Sequence, residues 1–160
     1  MENVKLKGNV RALLDEYRRA IDDLIQVISP VTTQQLTAIA DAETEDPDCR
    51  SIQTVLTHVV NSGYGYTITI ENHSGASKPY TERTTLENAG QYIEKLNLMF
   101  EYCRTFFMEN PDLEIEETDC EKKITVRWGQ QYDIEQLMEH SIVHILRHRR
   151  QIESFIRKLT

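Results

Sequence analysis

A chain of 160 residues, 39% hydrophobic and 28% charged, suffices for one well-buried core and is short for two, so a single domain over residues 1–160 is expected. Six Gly and four Pro are too few for a fibrous or disordered chain, and no apolar run approaches the ~20 residues of a membrane span. A net charge of -8 sets the overall field against phosphates, which argues against nucleic acid; with no apolar span for a membrane, small molecules and proteins are the expected partners.

The opening residues, MENVKLKGNV, lack the apolar stretch and cleavage site of a secretory signal, and a cytoplasmic location is the expectation. Cys49, Cys103 and Cys120 are odd in number and far apart, giving neither a disulfide framework nor a CxxC motif. Reduced thiols are the simpler reading.

Four segments place apolar residues at steps of three and four, the spacing that lines one face of a helix. The first runs through Val10, Leu14, Tyr17, Ile21, Leu24 and Ile28 and ends at Ser29-Pro30, because the residue before proline is pushed out of helical geometry. After a polar stretch from Ala42 to Arg50, Ser51 is a good N-cap for a second helix through Ile52, Val55, Leu56, Val59, Val60, Tyr66 and Ile70, with Gly63 and Gly65 weakening its second half. A third follows Thr85 and reads Leu86, Ala89, Ile93, Leu96, Phe100, Cys103, Phe107, stopping before Asn110-Pro111. Cys103 falls in a core slot there and reads as an inert buried thiol. Between Leu113 and Gln131, Ile124, Val126 and Trp128 alternate with polar residues, the pattern of a short hairpin or extended strand packed on the helices. Asp133, with Gln136 three residues on, opens the last helix as a capping box, continued by Ile134, Met138, Ser141, Ile145, His148, Ile152, Phe155 and Leu159.

The links are long for a simple up-and-down bundle, whose connections take ~2 to 8 residues, so some sequence neighbours are expected to run parallel. Residues 71–84 are long enough to cross the whole bundle as extended chain.

No glycine-rich phosphate loop, nucleophile elbow or HExxH motif is present, which leaves histidine as the carrier of chemistry. His140, His144 and His148 are spaced by four on the last helix, and a pair at that spacing brings two imidazoles to one ion. All three cannot share one ion: His140 and His148 are ~12 Å apart along the helix, whereas nitrogens ~2.1 Å from one metal lie within roughly 4 Å of each other. The helical wheel sets His148 inside the apolar arc, His144 at its edge and His140 further out, which points to His140 as the spare one. Spacing alone leaves open a packed core histidine bonded to a carbonyl or carboxylate.

The residues around the pair add to this. His144 to Gln151, HILRHRRQ, resembles the HxxxHRxQ signature near the end of the DinB/YfiT-like family, and Ser51 to His58, SIQTVLTH, resembles the S-I-x-x-L-x-x-H opening of an earlier helix in that family. The resemblance covers nearly the whole chain as a plan. It implies an all-α four-helix bundle of up-down-down-up topology with long crossover links, and a divalent metal held by His58, His144 and His148. Three neutral imidazoles leave open positions on an ion, the arrangement of a catalytic site. Zinc, nickel, iron and manganese all suit some His-rich site, so the metal is not selected. Relatives of this kind include transferases and isomerases that use low-molecular-weight thiols. The expected function is therefore a metal-dependent hydrolase or thiol-dependent S-transferase acting on a small molecule. The competing reading is a non-catalytic helical bundle that binds a partner and keeps its histidines as packed polar residues.

Gln151, seven residues after His144, and Asn61, three after His58, are the candidate substrate-binding or ligand-orienting residues. Tyr64, Tyr66 and Trp128 have two readings, the wall of a pocket or, more commonly for aromatics at such positions, ordinary core, and none is given a catalytic role. Arg147, Arg149, Arg150, Arg157 and Lys158 are read as complementing the negative end of the last helix, with anion binding as the lesser reading. No acidic residue is placed as a general base. Tyr92, Met99, Tyr102 and Phe106 flank the core stripe of the third helix, a wider apolar surface than one core needs, and together with the resemblance this makes a homodimer the expected assembly.

Overall fold

The computed structural model describes residues 5–160. Four long helices and one short one carry most of them: α1 (Gly8–Ile28), α2 (Thr33–Thr37), α3 (Ile52–His73), α4 (Ala89–Glu109) and α5 (Ile134–Leu159). A two-stranded hairpin, β1 (Ile124–Thr125) and β2 (Gln131–Tyr132), precedes α5. Among the described residues no helix is long and apolar enough to cross a membrane.

In α1 the six apolar positions of the sequence pattern are all buried, and the helix stops one residue before Ser29-Pro30. The helix α2 lies inside what reads as a polar link. Five residues are too few for a periodic signal, but Thr32 and Gln35 form a capping box and Leu36 is fully buried. Ser51 caps α3 as expected, and Gly63 and Gly65 do not break it. Gly63 has a packing reason: a Cβ there would lie 2.0 Å from Met99 Sδ, so only glycine lets α4 come this close.

The start of α4 differs from the expectation of Leu86. Asn88 caps it, accepting from the Gln91 amide, and Leu86 stays outside the helix. The Leu86 amide instead donates to the Tyr92 hydroxyl at 3.1 Å and its carbonyl accepts from Gln53 Nε2 at 2.8 Å. These bonds compensate Leu86 for the helical ones it forgoes. Tyr92, Met99 and Phe106 are buried in the chain's own core, and Tyr102 is half-buried with its hydroxyl on Glu71. The bundle itself takes up most of the apolar surplus that the sequence pattern assigned to a partner.

Helix α1 packs on α4 and α5, and α3 packs on α4 and α5. Thr57 meets Tyr92, Gly63 meets Met99 and Glu71 meets Tyr102 along the α3/α4 seam. Along α3/α5 the pairs run oppositely, His58 with His148 and Tyr66 with His140. Along α1/α4, Tyr17 packs edge-on against Phe100. The core between them is apolar and continuous, from Val10 and Leu14 through Leu56, Leu96 and Met99 to Ile145 and Ile152. Cys103 lies within it, and burial pushes its thiol up to about 12, so it stays protonated.

The hairpin pairs Ile124 with Tyr132 and Thr125 with Gln131. Gly129, at φ 87°, closes its turn in a conformation that strains any residue with a Cβ. Trp128 therefore sits at the tip and is 49% exposed, not packed inward as the alternation implied.

Candidate metal centre

His58 lies in the second turn of α3, where helical spacing from the capped Ser51 turns it toward α5. His144 and His148 are one turn apart on α5, facing it. The ring centroids are 4.9 Å apart for His58 and His144, 5.0 Å for His58 and His148, and 4.4 Å for His144 and His148. One nitrogen from each falls within 4.8 Å of the other two, and Nε2 of His58 is 2.9 Å from Nε2 of His144. Donors bonded to one ion at ~2.1 Å stand roughly 3–4 Å apart, so the set fits a divalent ion with small side-chain adjustments.

Partners on the remaining nitrogens favour this use. His148 Nδ1 is 2.8 Å from Gln151 Oε1, an acceptor that holds the proton on Nδ1 and leaves Nε2 free. His58 Nδ1 is 3.3 Å from Asp48 Oδ2. Asp48 is gripped by Arg83 through two bonds of 2.5 and 2.7 Å, and Arg83 itself comes within 3.4 Å of His58 Nδ1. Bonding to Arg83 holds the Asp48 carboxyl below its usual range despite partial burial. A carboxylate behind a ligating imidazole fixes its tautomer and strengthens its other nitrogen as a donor.

Burial lowers all three histidines. His144 is pushed down to about 2, by burial first and then by His148, His58, His140 and Arg147. For His58 and His148 burial is again the largest cause. Neutral imidazoles with free lone pairs are the form a metal requires.

The cluster opens into a cleft of 680 Å³ between α3, α5, the hairpin tip and residues 80–83 of the crossover. Asn61 lines it. Gln151 does not. Its side chain lies behind His148, bonded to the ring at Nδ1. His140 stands outside the cluster, stacked on Trp128 with centroids 5.2 Å apart and planes at 29°. Tyr66 meets both His140 and His144 edge-on, and burial pushes its phenol up to about 12, so it remains a hydrogen-bond donor.

Sequence reasoning missed Asp48 and Arg83. Asp48 sits in a short 3-10 turn, Pro47–Cys49, capped by Asp46, and Arg83 lies in the crossover. Neither has a periodic pattern around it, although the Asp46-Pro47 pair is a turn signal that marks where the carboxylate is held. Of the aromatics with two readings, Tyr66 and Trp128 line the cleft, the lesser of the two.

No curated protein matches the sequence at a significant level. The profile of the DinB family matches residues 9–159 and so takes in all three histidines and every element that presents them. The chain belongs to the DinB family.

Proposed function

We propose that this chain is a metal-dependent enzyme acting on a small molecule, as a hydrolase or a thiol-dependent S-transferase, with one divalent ion held by His58, His144 and His148. The observation that carries it is the convergence of three neutral imidazoles, each from a rigid helix, at the base of an open cleft. A divalent ion there would supply Lewis acidity, lowering the pKa of a thiol or water or polarising a carbonyl.

The chain's own residues do the rest. Gln151 and Asp48 fix the orientation of His148 and His58, and Arg83 keeps Asp48 ionised and in place. Asn61 offers an amide to substrate from the cleft wall, and Gln151 reaches substrate only through His148. An up-down-down-up order of the four long helices belongs to the same reading. The pairs Thr57–Tyr92 and Glu71–Tyr102 support α3 and α4 running the same way, and His58–His148 with Tyr66–His140 supports α5 running against α3. A cytoplasmic homodimer completes it, with the half-exposed Leu98 on α4 available to an interface.

Elemental analysis of protein purified without chelator tests the centre: one equivalent of zinc, nickel, iron or manganese per chain is expected. No metal as purified, and none taken up on titration with each ion, would refute it. Light scattering giving 18.7 kDa at micromolar concentration would refute the dimer.

A further inference from the structure

The cleft is charged against the rest of the protein. In a chain of net charge -8, three arginines, Arg83, Arg127 and Arg147, line it against two aspartates, Asp46 and Asp48. Arg83 is spent on Asp48. Asp46 is turned into its own loop, accepting from the Asp48 amide at 2.9 Å and from the Cys49 thiol at 3.4 Å. Arg127 at the hairpin tip and Arg147, one residue before His148, have no ion pair or side-chain hydrogen bond among the described residues. Arg147 lines the cleft beside His140, His144 and His148, so its charge is available to a ligand there.

Beside these cations stands an aromatic wall. Trp128 is covered on one side by His140 and held by its Nε1–H, which donates to Gln130 Oε1 at 2.7 Å. Tyr66 stands edge-on to it with centroids 6.5 Å apart. A half-exposed indole anchored by a hydrogen bond and a stacked ring is a fixed flat surface facing the cleft, suited to a flat apolar group.

We infer that the cleft takes a ligand bearing a carboxylate, which pairs with Arg147 and is supported by Arg127, and a flat, aromatic body that lies on Trp128 and Tyr66. This deepens the reading of the cleft as a substrate chamber and rests on it for location, but the anion anchor does not itself require the metal. A guanidinium fork matches a carboxylate in two parallel bonds, and both arginines are exposed and so accessible to a ligand entering the cleft.

Trp128 is the chain's one tryptophan, so its fluorescence reports on the wall directly. The probes are 4-nitrobenzoate and its neutral counterpart 4-nitrobenzamide, titrated into zinc-loaded and metal-free protein. Saturable quenching by the acid is expected in both, with the amide about tenfold weaker, the loss of one charge-assisted contact. Arg147→Gln should bring the acid down to the amide while Arg150→Gln, on the outer surface of α5, should not. Gly65→Leu provides a second block: a Cβ at Gly65 meets nothing within 4 Å, so the helix tolerates it while the larger side chain fills the cleft. Equal binding of acid and amide, no saturable quenching, or an unaltered titration in Arg147→Gln would overturn the inference. Zinc binding without nitrobenzoate binding sinks this inference alone. Nitrobenzoate binding that depends on Arg147 in protein that takes up no metal sinks the metal centre alone.

Discussion

Replacing Asp48 by asparagine keeps the side chain's shape and removes its charge, which isolates what the carboxylate does for His58. Asp48 Oδ2 lies 3.3 Å from His58 Nδ1, and the carboxylate is fixed by two short bonds from Arg83, one to each oxygen. In Asp48→Asn the amide oxygen can still accept from Nδ1–H, but the negative charge that makes Nε2 a stronger donor is gone. The Arg83 guanidinium, 3.4 Å from Nδ1, is then left without its counter-charge and pulls in the opposite sense. Loss of such a partner behind a ligating histidine weakens metal binding ~10 to 100-fold, or about 1.4–2.7 kcal/mol. Competition for zinc against a chromophoric chelator measures this, with circular dichroism confirming the fold. Arg83→Gln should lose less, because Asp48 still faces His58. An Asp48→Asn affinity within about twofold of wild type, beside a His58→Ala variant that has lost zinc, would refute the assigned role.

The three histidines should behave alike and His140 differently: His58→Ala, His144→Ala and His148→Ala each abolish tight zinc binding, whereas His140→Ala retains it, as read by elemental analysis of dialysed protein. Metal at ~100 times its Kd stabilises a native-only site by ~2.7 kcal/mol, so chelation should lower Tm by about 5–11 °C in a differential scan. Gly63→Ala should destabilise by about 1–3 kcal/mol, because the fully buried Met99 has nowhere to move, while Gly65→Ala should be neutral or stabilise by up to about 1 kcal/mol in urea denaturation.

The long helices were legible because their signal is redundant. Six buried positions in α1 and the capped starts at Ser51 and Asp133 each repeat one message, and tertiary packing only had to agree. Where a single residue decides, the pattern failed. The helix α4 begins three residues later than Leu86 because Tyr92 and Gln53, one on each side of the α3/α4 seam, claim the Leu86 backbone. Trp128 alternates correctly as a strand residue, yet its turn closes at Gly129 and leaves the indole at the cleft. The candidate ligands could be picked because two share one helix, and the third sits in a motif. The groups behind them could not, since Asp48 and Arg83 are 35 residues apart and meet only when the crossover is laid over the bundle.

That crossover links the fold to the chemistry. If α3 and α4 run the same way, residues 74–88 must return the chain along the full length of α3, ~33 Å for 22 residues, and roughly 15 residues of extended chain reach ~50 Å. A two-residue hairpin loop could never bring an arginine from the far end of α3 to its first turns. The crossover is fastened near its start, where Lys78 bonds Glu71 at 2.6 Å, and again at Arg83 on Asp48. Between these points it forms one wall of the cleft with Tyr80 and Thr81. The same ion pair thus closes the cleft and orients His58, so loosening the crossover at Arg83 weakens the centre even though Arg83 binds no metal. A variant that cuts the other fastening, Lys78→Ala, leaves Asp48 and His58 untouched, and retained zinc affinity there beside a loss in Arg83→Gln would place the coupling at Arg83 itself.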